Sequence, residues 1–191
     1  SKRKANMINP TDFRKGSKIV IAGELYEVQD FQRVAKGRGR GFVRTKLKNL
    51  VTGTTKEESL DSTMSIEEAQ LDIKEMQYLY MQDEMFYFMD TSTFQQVRIR
   101  GDSLEESKWY LIEGESYEIL FWEDKPISVA LPASVVLEIT DTVPGVKGDS
   151  VTNIMKDATV QTGLKIKVPL FINKGDKVKV DTRTGEYIGR A

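Results

Sequence analysis

Apolar and polar positions alternate along most of this chain with a period of two, the pattern of half-buried strands. Lys18 to Ile21 and Leu25 to Val28, joined through Ala22-Gly23-Glu24, read as a hairpin around a short glycine turn. Gly41 to Leu47 and Thr54 to Glu57 flank Asn49 to Gly53 as a second pair, and Phe13, after the irregular stretch Asn9 to Asp12, is a candidate core anchor. Met76 to Met81 and Met85 to Met89, joined by Gln82-Asp83-Glu84, form the clearest hairpin. Its Tyr, Phe and Met side chains are expected to pack a core and not to form a base-stacking platform, because the surrounding segment is acidic. Glu115 to Trp122, Pro126 to Val129, Val135 to Thr140, Lys165 to Val168 and Lys177 to Val180 continue the series, and Arg183-Thr184-Gly185 turns into a last strand at Glu186 to Ile188. One short helix is predicted at Ser103, where Ser103 and Glu106 fit a capping box. The alternation lapses from Thr63 to Gln70, placing a linker near Ser65 to Glu68, and again at Leu131 to Ser134. Thr142 to Ile154, rich in Pro, Gly, Asp, Ser and Thr, reads as a long exposed loop.

These breaks predict an all-β protein of three small β-barrel domains, 1–68, 69–134 and 135–191, with Met7 as the natural start and residues 1–6 a tag remnant or an extension. Charge supports the division. The first segment holds 14 basic and 9 acidic residues, net +5; the second 5 and 13, net −8; the third 9 and 7, net +2. A body cationic at both ends and acidic in its middle suits a partner made of polyanion that touches the ends. With no cysteine and no histidine, disulfides, thiol catalysis, the commonest general base and most zinc sites are excluded. No apolar run reaches the roughly 18 residues of a membrane span, and no signal-peptide pattern is present. The expectation is a cytoplasmic protein that is not an enzyme and needs no cofactor, although a metal held by Asp and Glu alone is left open.

The segment richest in candidate chemistry is Phe31 to Leu50, with Lys or Arg at seven positions and no acid. Within its loop, residues 34–41, Lys36, Arg38 and Arg40 alternate with Gly37, Gly39 and Gly41. Glycine lets backbone approach a partner closely, and Lys and Arg attract phosphate. The loop is either a probe for nucleic acid or a solvated hairpin end. Gly37, Gly39 and Gly41 lack the spacing of a dinucleotide fingerprint, no glycine loop ends in Lys-Ser or Lys-Thr, and the acid pairs Glu57-Glu58 and Glu105-Glu106 show no sign of one buried and one exposed carboxylate.

The C-terminal third narrows the choice. Lys156 to Gly175, with Lys156, Ala158, Gly163, Val168-Pro169 and Gly175 in register, resembles the signature of bacterial elongation factor P. Asp181 to Tyr187 resembles that family's terminal hairpin, and Asp141 to Asp149 its long loop. Asp12 to Gly16, Phe42 to Leu47 and Thr52-Gly53 resemble its first domain, so the likeness runs from about Met7 to Arg190. The resemblance implies a KOW- or SH3-like barrel followed by two OB-type barrels in an L-shaped, tRNA-like arrangement. It implies a translation factor that binds the ribosome between the peptidyl-tRNA and exit sites and restores peptide bond formation at polyproline stalls, with peptidyl-tRNA, mRNA and both ribosomal subunits as partners of a monomer.

Residue by residue, the resemblance places the contact with the CCA end of peptidyl-tRNA at Arg38, within the tip Lys36, Gly37, Gly39 and Arg40. Many family members carry Pro-Gly-Lys-Gly here, with the lysine lengthened by β-lysylation; another branch has a rhamnosylated arginine with different flanks. Modified Arg38, unmodified Arg38 and modified Lys36 stay open, and with them a tip-modifying enzyme as a partner. Gly148, Asp149 and Ser150 match the loop that approaches mRNA at the exit-site codon, with Ser150 where Thr is usual and Val151 to Met155 replacing a glycine-rich stretch. Tyr187 and Arg190 match residues near the small subunit or tRNA, while half of the Tyr187 ring could simply pack. The acidic middle domain carries no assigned contact and reads as a spacer. An elongation factor P-like paralogue with different stall targets and a general OB-fold RNA-binding protein are the alternatives.

Overall fold

The computed structural model describes residues 4–35, 37, 39, 41–145 and 154–191. Its sixteen described strands form three sheets, matching three β domains with almost no helix between them. By internal packing the chain divides into two units, Ser1–Ile73 with Leu120–Ile127, and Lys74–Ile119 with Ser128–Ala191.

The first sheet contains β1 (Asn6–Ile8), β2 (Lys18–Ile21), β3 (Glu24–Val34), β4 (Phe42–Asn49), β5 (Thr55–Asp61) and β6 (Ile66–Glu68), ordered β1-β6-β2-β3-β4-β5. Its core gathers Phe13, Ile19, Val28, Val43 and Leu47, each with no exposed surface. A second cluster in the same unit holds Leu25, Trp122 and Ile127. The β2–β3 hairpin closes through Ala22 and Gly23, both at positive φ (51° and 78°), opposite Ile21↔Glu24. That mirror-type two-residue turn matches the right-handed twist of the strands it joins.

The second sheet contains β7 (Asp72–Gln82), β8 (Met85–Met89), β9 (Gln96–Arg100), β10 (Ser116–Trp122) and β11 (Lys125–Ala130), ordered β11-β10-β7-β8-β9. Tyr78, Phe86 and Phe88 are buried, whereas Tyr80 on β7 is exposed. The expectation of core packing therefore holds for alternate positions only. The third sheet contains β12 (Ser134–Thr142), β13 (Met155–Val160), β14 (Lys165–Pro169), β15 (Lys177–Asp181) and β16 (Tyr187–Arg190), ordered β14-β13-β12-β15-β16, around Leu137, Val168, Ile172, Val178 and Val180. Among the described residues no helix is long and apolar enough to cross a membrane.

Two local expectations are corrected. The linker at Ser65 to Glu68 is strand: β6 pairs with β1 (Ile8↔Ile66) and with β2 (Ile19↔Glu68). It is too short for alternation to register, and Ile66 is its only apolar residue. Asn6, the last residue of the expected leader, pairs with Glu68 as part of β1, a pairing that either a tag remnant or an extension can make. Ser103 does not cap its helix. α1 (Gly101–Leu104) begins after Arg100 with no side-chain cap, and Glu105, at φ 51°, turns the chain into a 3-10 segment, Glu105–Tyr110.

Candidate nucleic-acid interface

The basic loop sits on the longest ladder of the first sheet. β3 and β4 remain paired from Tyr26↔Asn49 to Val34↔Phe42, with a bulge between Val28 and Asp30. The buried part of β3 ends at the bulge, and Asp30, Gln32 and Arg33 beyond it are exposed. A bulge increases twist and redirects the strand; opposite that exposed part of β3, Val43 and Thr45 on β4 stay buried, and β5 remains paired as far as Phe42↔Asp61. Arg33 fastens the root of this hairpin: the guanidinium donates to the Thr11 carbonyl (2.7 Å) and lies 5.0 Å from the Phe31 ring centre. Gly41 closes the other limb. Its carbonyl accepts from the Ser62 amide, and a Cβ there would lie 3.0 Å from the Val34 carbonyl oxygen and 3.2 Å from Ser62 Oγ. A Cβ at Gly37 would meet nothing within 4 Å. Lys36, Arg38 and Arg40 lie outside the described residues.

Charge along β4 is partly compensated by its neighbours. Lys46 on β4 stands opposite Asp30 and Glu57, and Lys48 stands opposite Glu27. Opposite charges across a ladder offset one another, so the acid-free stretch read from sequence is partly neutralised by its neighbouring strands. Arg44, nearer the tip, faces Gln32 and Ser59 instead. Asp61 stands opposite Phe42, so an acid flanks the tip end of the ladder as well.

The third sheet anchors the second candidate region. The limbs of the loop between β12 and β13 are tied by Thr142 Oγ1 donating to the Asp157 carbonyl (2.8 Å) and by the Gly145 amide donating to Asn173 Oδ1 (2.7 Å). Lys156, only 8% exposed, donates from Nζ to the carbonyls of Val143 and Ile172. Gly148, Asp149 and Ser150 lie outside the described residues. Arg190 reaches the segment that receives Gly145: its guanidinium is 3.4 Å from Asp176 Oδ2 and 5.2 Å from the Phe171 ring centre. A Cβ on Gly145 would lie 3.0 Å from the Phe171 carbonyl oxygen. The turn from Phe171 to Asp176 therefore gathers Arg190 and the loop root in one place.

Tyr187 is placed differently. Its ring packs on the C-terminal core, and burial pushes its hydroxyl pKa up while Arg190 pulls it down. The exposed part of the residue lines a cleft with Lys165 and Lys167. Asp157 and Glu186 line the same cleft, so its two lysines are matched by two acids. The lysines were visible in the sequence only as the outward positions of a strand. Lys167 also pairs with Asp157, whose carboxyl is held below its usual range by that hydrogen bond and charge.

Comparison with known proteins covers the same three sheets. Residues 10–66 match the model of the elongation factor P KOW-like domain, 71–129 that of the elongation factor P OB domain, and 135–190 that of the elongation factor P C-terminal domain. A protein named elongation factor P from Caldanaerobacter subterraneus subsp. tengcongensis is 50% identical over 184 residues, covering 96% of this chain and 100% of that one. Those from Alkaliphilus oremlandii and Clostridioides difficile are 48% and 47% identical, with 96% of this chain covered in each case and 100% of the relative. A solved structure, eukaryotic translation initiation factor 5A from Methanococcus jannaschii, has a TM-score of 0.55 at 18% identity, over 66% of this chain and 92% of that one, a likeness of fold alone.

Proposed function

Because the chain belongs to the elongation factor P family of translation factors, we propose that it binds the ribosome between the peptidyl-tRNA and exit sites and stimulates peptide bond formation at polyproline stalls. The observation that carries this reading is the β3–β4 hairpin, fixed at its root by Arg33 and Gly41, which presents the loop of Lys36, Arg38 and Arg40 at the end of the first sheet. The pair Val34↔Phe42 leaves seven residues for the loop, and Arg38 is the fourth of them.

Proline is a poor substrate because its ring fixes φ and removes backbone freedom. Reacting groups that cannot align forfeit the orientation on which rapid transfer depends. In this reading the tip steadies the CCA end of peptidyl-tRNA: Arg38 pairs with phosphate, Lys36 and Arg40 add charge, and Gly37 and Gly39 permit close approach. The chain supplies positioning and the ribosome supplies the chemistry. Gly148, Asp149 and Ser150 approach mRNA at the exit-site codon from the loop rooted at Lys156 and Gly145, while Tyr187 and Arg190 face the small subunit or tRNA. The protein acts in the cytoplasm as a monomer, through domains 1–68, 69–134 and 135–191.

We take Arg38 to act unmodified, since its long cationic fork reaches phosphate without an added group. Arg38 in place of the usual tip lysine, with Lys36 in place of proline, favours a second reading, a paralogue of the same fold with different stall targets. Both are tested by the rate of Pro-Pro-Pro synthesis on purified ribosomes with unmodified recombinant protein and with Arg38→Ala. Acceleration by the first and none by the second supports the reading. No acceleration by either removes the unmodified-arginine mechanism, and the peptide mass around Arg38 in native protein then separates a modified tip from a paralogue.

A further inference from the structure

The middle sheet buries one set of aromatics and leaves another outside. Tyr80 and Tyr87 face each other across β7 and β8 with ring centres 4.7 Å apart and planes 20° from parallel. Arg98 on the edge strand β9 completes the row, opposite Tyr87. The rows on either side consist of Gln and Met and end on Gln96 and Arg100. No acid stands in any of the three rows, although residues 69–134 hold 13 acids against 5 bases. Acids border the rows: Asp83, Glu84 and Asp90 just beyond the strand ends, Glu75 two residues before Gln77 on β7, Glu118 on the neighbouring strand β10, and Asp102, 3.4 Å from Arg100. Tyr80 is 39% exposed, and Arg98 makes no hydrogen bond or ion pair among the described residues.

The core does not require these rings, because Tyr78, Phe86 and Phe88 already fill the inner face. A ring pair in offset stacking distance, with Tyr80 exposed and Tyr87 half-buried, presents a π surface that a nucleobase extends. A free guanidinium in the same row pairs with phosphate, and the flanking glutamine amides can both donate to and accept from base edges. The acidic remainder of the domain repels a polyanion, so these three acid-free rows are where one can land.

We propose that the Tyr80–Tyr87–Arg98 row is a stacking platform for single-stranded RNA, separate from the basic tip and the β12–β13 loop. It gives the middle domain a contact of its own in place of the spacer role. The proposal does not depend on the ribosomal reading of the tip.

The test is fluorescence anisotropy of a short, unstructured, end-labelled RNA titrated with the full chain, in an Arg38→Ala background so that the tip does not dominate. Replacing both tyrosines with leucine removes the π surface but keeps apolar volume, and weakens binding about tenfold or more. Replacing both with phenylalanine leaves affinity near the parent value, and Arg98→Gln lowers the salt slope by about one. An unchanged affinity in the double leucine variant overturns the proposal, as does absence of RNA binding by the parent, which would leave the face for a protein partner. Photo-cross-linking of the parent to 4-thiouridine RNA gives a readout independent of any variant's folding. Adducts within Gln77 to Arg100 support the platform, and adducts confined to other peptides overturn it.

Discussion

Replacing Lys156 with methionine removes an ammonium that donates to two backbone carbonyls, Val143 and Ile172, from a position only 8% exposed. Methionine keeps the length and packing of the lysine stem but donates nothing. Ile172 has no exposed surface, so water does not readily replace the lost donor. Bonds from a charged donor contribute about 1.5–3 kcal/mol each, and a buried carbonyl left unpaired costs about 1–3 kcal/mol. Against this stands the relief of desolvating the ammonium, which leaves an expected net loss of about 2–3 kcal/mol. The chain has two tryptophans, Trp109 packed on the C-terminal core and Trp122 in the first unit's second cluster. In a Trp122→Phe background, Trp109 emission alone reports urea unfolding around the third sheet. The Lys156→Met midpoint should fall by about 1 M or more, given the usual urea dependence of small domains. A midpoint within about 0.2 M of the parent would refute the claim that this lysine holds the two limbs together.

Other expectations follow from the same packing. Phe13→Ala, at a site with no exposed surface, should cost about 3–5 kcal/mol, read as lost urea stability of Trp122 emission; less than about 1 kcal/mol would mean Phe13 is no anchor. Gly41→Ala should destabilise the hairpin root by about 1 kcal/mol or more and speed amide exchange at Val34 and Phe42, whereas Gly37→Ala should change neither; equal effects would contradict the contact with Val34 and Ser62. Burial, with smaller contributions from the charges of Glu113 and Tyr117, pushes the Tyr78 hydroxyl up to about 12 from an ordinary 10.0. From pH 10 upward the unfolded chain loses that proton while the folded chain keeps it, so stability should fall with rising pH, and Tyr78→Phe should flatten the fall in melting temperature. Parallel curves for parent and variant would rule Tyr78 out as a source of that dependence.

How much of this was legible in the sequence depends on what each residue does. The hairpins around Ala22-Gly23 and Asp83-Glu84 were readable because alternation and turn length act locally, and the core position of Phe13 followed from the pattern around it. β6 was not, since only Ile66 in it is apolar and its place depends on pairing with strands some fifty residues away. β13 turns a lysine inward at Lys156, contrary to the usual cost of burying charge, and only carbonyls distant in sequence make it tolerable. The basic loop was plain from composition, but the neutralising of Lys46 and Lys48 by acids on β3 and β5 needed the register. Likewise nothing local pairs Arg190 with Phe171 and Asp176.

The central claim, that the loop of the first domain meets the CCA end of peptidyl-tRNA, has a direct test. The chain contains no cysteine, so Gly37→Cys introduces its only thiol, at a site where an added Cβ meets nothing within 4 Å. The thiol carries a short photo-cross-linker, and the protein is added to ribosomes stalled on consecutive prolines. The account predicts adducts at the 3′ end of the peptidyl-tRNA. Adducts confined to other ribosomal components, with that end unmodified, would contradict it.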